Sequence, residues 1–121
     1  RDWLYVDDHC TALERVLRIG QIGETYNIGG RNESTNIDLV NLVCATLDKC
    51  VKKKKEHPIN SFKELITFVK DRPGHDYRYS INAEKIESAL NWRPSVTLEN
   101  GIKKTVEWYL QNKNWMENLN H

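Results

Sequence analysis

The chain has 121 residues, with 18 Lys and Arg against 17 Asp and Glu and a formal net charge of +1. That length suffices for one modest domain, and so even a balance gives no pointer to nucleic acid or an acidic membrane surface. No apolar run approaches the roughly 20 residues of a membrane span, and no secretory signal is visible.

Taken in order, Trp3-Leu4-Tyr5-Val6 is aromatic and β-branched and reads as a strand. Asp7-Asp8 offer a helix N-cap, Ala12, Leu13, Val16 and Leu17 follow at helical spacing, and Gly20 stops the run. Thr25-Tyr26-Asn27-Ile28 reads as a short buried strand, apolar on both faces, ended by Gly29-Gly30, where the backbone can turn sharply and approach something closely. Asn36 is a good cap for a helix whose apolar face is Leu39, Val40, Val43 and Leu47, with Cys44 in its core pattern. Lys52 to Ser61 is a polar loop, and its run Lys52-Lys53-Lys54-Lys55 reads as solvated. Ile66 to Val69 is a third strand. Asn82 caps a short helix with Ile86, Ala89 and Leu90 inward, and Trp92-Arg93-Pro94 breaks it. Leu98, Ile102, Val106 and Leu110 recur every fourth residue in a last amphipathic helix, after which residues 114–121 are expected to fray. The order strand, helix, strand, helix, strand, helix, helix predicts an α/β fold with parallel pairing.

The organising stretch is Asp71-Arg72-Pro73-Gly74-His75-Asp76-Tyr77-Arg78-Tyr79. Pro73 fixes its own φ and Gly74 tolerates a positive one, so a tight turn is forced with Arg72 and His75 on its flanks. Such donors are suited to holding a phosphate, although a solvated surface turn has the same composition. Arg1 can make a bidentate phosphate contact, and Asn36 at a helix start lies beside unpaired N–H groups; simple exposure and simple capping are the plainer alternatives. Asp7, Asp8 and His9 are helix neighbours that do not face one another, so they make no catalytic dyad. His9, His57, His75 and His121 lack zinc spacing, and no metal site is expected. The glycines give no G-x-G-x-x-G, so no cofactor-binding residue is expected either. Tyr109 and Lys113 fit Tyr-x-x-x-Lys, but Tyr109 lies on the apolar side of the last helix and is expected to pack. Cys10, Cys44 and Cys50 are odd in number and suit free thiols in a reducing, cytoplasmic setting. The chain opens on Arg1 and its one methionine is Met116, so a piece of a longer polypeptide is expected.

As a set, Arg1 to His9, Glu24 to Gly30, Asn36-Ile37-Asp38, Asp71 to Asp76 and Gly101 to Tyr109 resemble the C-terminal third of the dTDP-glucose 4,6-dehydratases. These are members of the extended short-chain dehydrogenase/reductase family. The first two motifs are common to many nucleotide-sugar epimerases and dehydratases; the last two are more particular. Asn82 and Asn91 depart from the usual Asp and Gly.

The resemblance implies the last strands of a Rossmann-type sheet plus a small substrate-binding domain. Residues 1–113 would be the nucleotide-sugar-binding portion and 114–121 a tail. It implies an enzyme that oxidises the sugar at C4 with NAD, eliminates water across C5 and C6, and returns the hydride to C6. The NAD site and the catalytic residues would lie upstream of Arg1, so none is expected here, and the fragment alone would be inactive. By position in the motifs, Arg1, Asn36, Arg72 and His75 would grip the dTDP portion. The implied partners are a dTDP-sugar, the missing N-terminal NAD-binding half and a second copy in a homodimer. The alternatives are part of another nucleotide-sugar dehydratase or epimerase, or a non-catalytic nucleotide-sugar-binding module.

Overall fold

The computed structural model describes residues 1–51 and 59–119. The basic run at 52–55, His57 and His121 lie outside them. Among the described residues the order is α1 (Val6–Ile19), α2 (Asn36–Cys50), a 3-10 turn (Phe62–Leu65), α3 (Glu84–Leu90), α4 (Leu98–Gln111) and α5 (Lys113–Asn118).

The helix ends follow local chemistry, in places one residue away from the sequence expectation. α1 is preceded by extended Tyr5, which makes no side-chain cap, so Asp7 and Asp8 lie in the first turn, where carboxylates suit the positive end of the helix dipole. α2 is capped by Thr35 and not by Asn36: the Thr35 hydroxyl accepts from the Asp38 N–H at 3.1 Å and donates to its carboxylate at 2.5 Å. At α3 the cap position is Ala83, without a side-chain cap bond, and not Asn82, which lies one residue earlier and accepts from the Glu84 N–H at 2.9 Å. Asn91 closes α3 with φ 48°, a left-handed position that Asn tolerates better than most residues. Thr97 caps α4. Part of the segment expected to fray is helical instead: Trp115 of α5 meets Trp108 edge-on at 5.0 Å, which ties it to α4.

No β-strand forms among the described residues; the single pairing is an isolated antiparallel bridge between Asp2 and Glu33. The predicted strands at 3–6, 25–28 and 66–69 are therefore not paired. Trp3 donates one backbone bond to the Asn32 carbonyl at 3.2 Å, but among the described residues no ladder of such bonds extends along any of the three segments. The 25–28 segment also alternates: Tyr26 and Ile28 pack on the core while Thr25 and Asn27 are exposed, so it is not apolar on both faces. At 66–69, Phe68 and Val69 are 83% and 85% exposed.

The core joins α1 to α3. Ala12, Ala83, Ile86, Leu90 and Trp92 are buried together, with Leu4, Val16, Tyr26 and Ile28 packed around them. α2 lies against α4, with Cys44 and Val106 buried. Asp8 links these parts: buried at the start of α1, it accepts from the Ser95 N–H at 3.1 Å, the Ser95 hydroxyl at 2.8 Å and the Val96 N–H at 3.0 Å, just before α4. Two inward assignments fail. Leu13 and Leu17 of α1 are exposed, because Ala12 and Val16 are the residues that meet the core. Ala89 is exposed, and Glu87 turns inward instead, held by Arg31 through two bonds of 2.6 Å and by Arg93 at 3.3 Å.

Candidate functional site

The Gly29-Gly30 pair was expected to approach something closely, and its neighbour is the start of the chain. A Cβ on Gly30 would stand 2.0 Å from the Trp3 carbonyl oxygen, and one on Gly29 would stand 2.6 Å from the Asp2 carboxylate. Asp2 accepts from the Gly30 N–H at 3.0 Å and the Asn32 N–H at 2.9 Å, so that backbone is already engaged and does not serve an outside anion. The same clamp fixes Arg1, whose carbonyl accepts from the Ser34 N–H at 3.0 Å, next to the start of α2.

The bend at 71–79 completes a cleft against that start. Gly74 takes φ 69°, the left-handed value that lets the chain reverse after Pro73. The resulting cleft, of about 510 Å³, is lined by Arg1, Asn36 and His75, together with Glu33, Asp71 and Arg78 among others. Three of the four residues picked from the sequence thus meet. The fourth, Arg72, is not in the wall; it is exposed beside Asp71, and its side chain makes no hydrogen bond among the described residues.

Arg1 is the most constrained group in the cleft. Its Nη2 donates to His75 Nε2 and, at 3.0 Å, to the Asp76 carbonyl, and its guanidinium carbon lies 4.5 Å above the Tyr79 ring centre. His75 Nδ1 lies 2.7 Å from Asp71 Oδ1. Two lining arginines, Arg1 and Arg78, face three lining carboxylates, Glu33, Asp71 and Asp76. Each carboxylate is engaged. Hydrogen bonds from Ser80 and then Arg78 hold Glu33 below the usual carboxylate range. The His75 contact does the same for Asp71, and Asp76 accepts from the Tyr79 hydroxyl, which raises the Tyr79 phenol. Oriented donors, not net charge, are what this cleft offers an anion.

The other candidate groups have structural places. Asp8 is committed to the loop before α4, and burial, which alone would raise it, is outweighed by its bonds to Ser95 and Val96, so its carboxyl sits low. His9 is exposed. Tyr109 packs edge-on to Trp108 at 5.2 Å, beside a larger apolar cleft of about 670 Å³ that also touches Trp3, Tyr5 and Trp115. Among the described residues no group of three or more His, Cys, Asp or Glu is placed to hold a metal. A dinucleotide does not fit them either, since no glycine-rich turn opens a helix and Gly30 is spent on Asp2. Sequence reasoning missed Glu33, Asp71, Asp76 and Tyr79 as parts of the site. The i, i+4 spacing of Asp71 and His75 was the available signal.

The Arg1 segment, the start of α2 and the Pro-Gly bend thus form one polar cleft on a helical frame. The family model described as GDP-mannose 4,6 dehydratase matches residues 1–105, and the chain belongs to that family. Within it the likeness is to dTDP-glucose 4,6-dehydratases. Those of Shigella flexneri and Escherichia coli K12 are each 57% identical over 119 residues, 98% of this chain. The chain spans 32% of each, so about a third of their length. Among solved structures, the Bacillus anthracis dTDP-glucose 4,6-dehydratase in complex with NAD superposes with a TM-score of 0.76 at 44% identity, covering 95% of this chain and 32% of that one. The Streptomyces venezuelae dTDP-glucose 4,6-dehydratase with NAD and TYD bound gives 0.80 at 37%, over the same shares.

Proposed function

We propose that this chain is the substrate-binding, C-terminal part of a dTDP-glucose 4,6-dehydratase, which turns dTDP-glucose into dTDP-4-keto-6-deoxy-glucose with loss of water. The observation that carries this reading is the cleft in which Arg1, Asn36 and His75 meet, in a chain 57% identical to such enzymes. In this role the chain binds and orients. Arg1 offers its Nη1 and Nε donors to the diphosphate, Asn36 offers a donor beside it, His75 holds Arg1 in place, and exposed Arg72 adds a cation from the same bend. Affinity for the non-reacting nucleotide thereby becomes orientation of the hexose. NAD, held by the remainder of the protein, would supply the hydride acceptor. The segments at 3–5, 25–28 and 66–69, which form no ladder among the described residues, would join the Rossmann-type sheet of that remainder. The whole protein would act as a homodimer in the cytoplasm, a setting that suits free Cys10, Cys44 and Cys50.

One observation favours a second reading, in which the nucleotide is a guanosine diphosphate: the matching family model is described by GDP-mannose. Calorimetric titration of the full-length protein with dTDP, UDP and GDP separates the two. Preference for dTDP, weakened by Arg1→Ala, is the expected result. Preference for GDP favours the second reading, and affinity untouched by Arg1→Ala removes this cleft from the nucleotide site.

A further inference from the structure

The lining of the cleft carries three carboxylates against two arginines, so a bulk field does not draw a diphosphate in. Binding there depends on where Arg1 points, and what points it is a second layer of residues. An arginine stays protonated, so its Nη2 hydrogens can only donate. Where Nη2 meets His75 Nε2, that nitrogen must be an unprotonated acceptor. The ring proton then belongs on Nδ1, where it is donated to Asp71 Oδ1 at 2.7 Å. Asp71 is itself fixed by the Arg72 N–H at 2.8 Å. Without that carboxylate the other tautomer is open to His75, and it would turn an N–H against the guanidinium. On the second side the Tyr79 ring lies under the guanidinium at 4.5 Å, and its hydroxyl is anchored on Asp76. Nη2 is thereby consumed, while Nη1 and Nε make no hydrogen bond among the described residues.

We infer that Asp71 and Tyr79 are positioning residues that act through Arg1, fixing its guanidinium at Nη2 and by its face so that the separate Nη1 and Nε donors stay free for the diphosphate of a nucleoside-diphosphate sugar. The inference rests on the reading above that this cleft takes the nucleotide.

The test is a double-mutant cycle in the full-length protein, with dTDP affinity measured by calorimetry and KM and kcat measured with dTDP-glucose. Asp71→Leu and Tyr79→Leu should each weaken dTDP about tenfold, the size of a lost cation–π or charge-assisted contact. The loss should fall on KM more than on kcat. Tyr79→Phe, which keeps the ring face, and Asp71→Asn, which keeps an acceptor, should recover most of it and guard against a folding defect. In an Arg1→Ala background both leucine substitutions should have no further effect. If they still weaken dTDP about tenfold in that background, or do nothing in the native one while Arg1→Ala itself weakens binding, the positioning role is wrong. If Arg1→Ala leaves dTDP affinity unchanged, the nucleotide reading of the cleft fails, and this inference with it.

Discussion

Asp8 gathers three donors onto one buried carboxylate, from the Ser95 N–H, the Ser95 hydroxyl and the Val96 N–H. Its carboxyl is held below the ordinary value by these bonds against the opposing effect of burial. A group whose folded value is depressed contributes stability above its unfolded value, near pH 4, and loses it as pH falls through the lower folded value. Asp8→Asn should therefore cost about 1–3 kcal/mol at neutral pH, with less cost in acid, as read from urea midpoints across a pH series. An equal cost at every pH would mean that the charge on Asp8 contributes nothing. Arg72 is a different case. Its side chain is exposed and makes no hydrogen bond among the described residues, so a bound anion would give it one. Arg72→Ala in the full-length protein should weaken dTDP-sugar binding by about 1.5–3 kcal/mol while leaving the melting temperature in place. Unchanged affinity would make it a turn residue only.

At the scale of elements, the bend and α4 were legible because their causes are local. The Pro73-Gly74 turn and the fourfold spacing of α4 needed no tertiary information, and Asn82 was one residue off the cap of α3 at Ala83. Thr35 was passed over for its neighbour Asn36, although Thr35 and Asp38 already spelled a capping pair. Strand pairing was not legible, since Phe68 and Val69 carry high β propensity whether or not another strand lies beside them. The cleft was half legible. Arg1, Asn36 and His75 were nameable from motif position, but the clamp of Asp2 on Gly30 and the Tyr79 ring under Arg1 join residues far apart in the chain. The cap gives a direct test. Thr35→Ala removes the Asp38 N–H acceptor and should cost about 0.5–2 kcal/mol, whereas Asn36→Ala, one position inside α2, should cost a few tenths at most. Thermal melts of the two variants compare the positions, and a larger loss at Asn36 would reverse the assignment.

Across the whole molecule, one helix face has no counterpart within the described residues. Val6, Cys10, Leu13 and Leu17 recur at i, i+4, i+7 and i+11, so they form a single stripe on α1, separate from the Ala12 and Val16 side that meets the core. Val6 is 62% exposed, Leu13 53% and Leu17 87%. Ile22, just beyond the helix, is fully exposed. A contiguous apolar stripe of this kind favours association, because burying it releases water from every member at once. The 121-residue chain on its own should therefore self-associate at micromolar concentration, or melt broadly. A paired charge substitution, Leu13→Glu with Leu17→Lys, should shift sedimentation toward monomer while far-UV circular dichroism stays the same, since neither side chain touches the core and both new residues are acceptable in a helix. If the unaltered chain sediments as a monomer and melts in one sharp transition, the stripe is simply tolerated surface. If it associates and the double variant associates equally, the contact lies elsewhere, and exposed Phe68 and Val69 become the next positions to change.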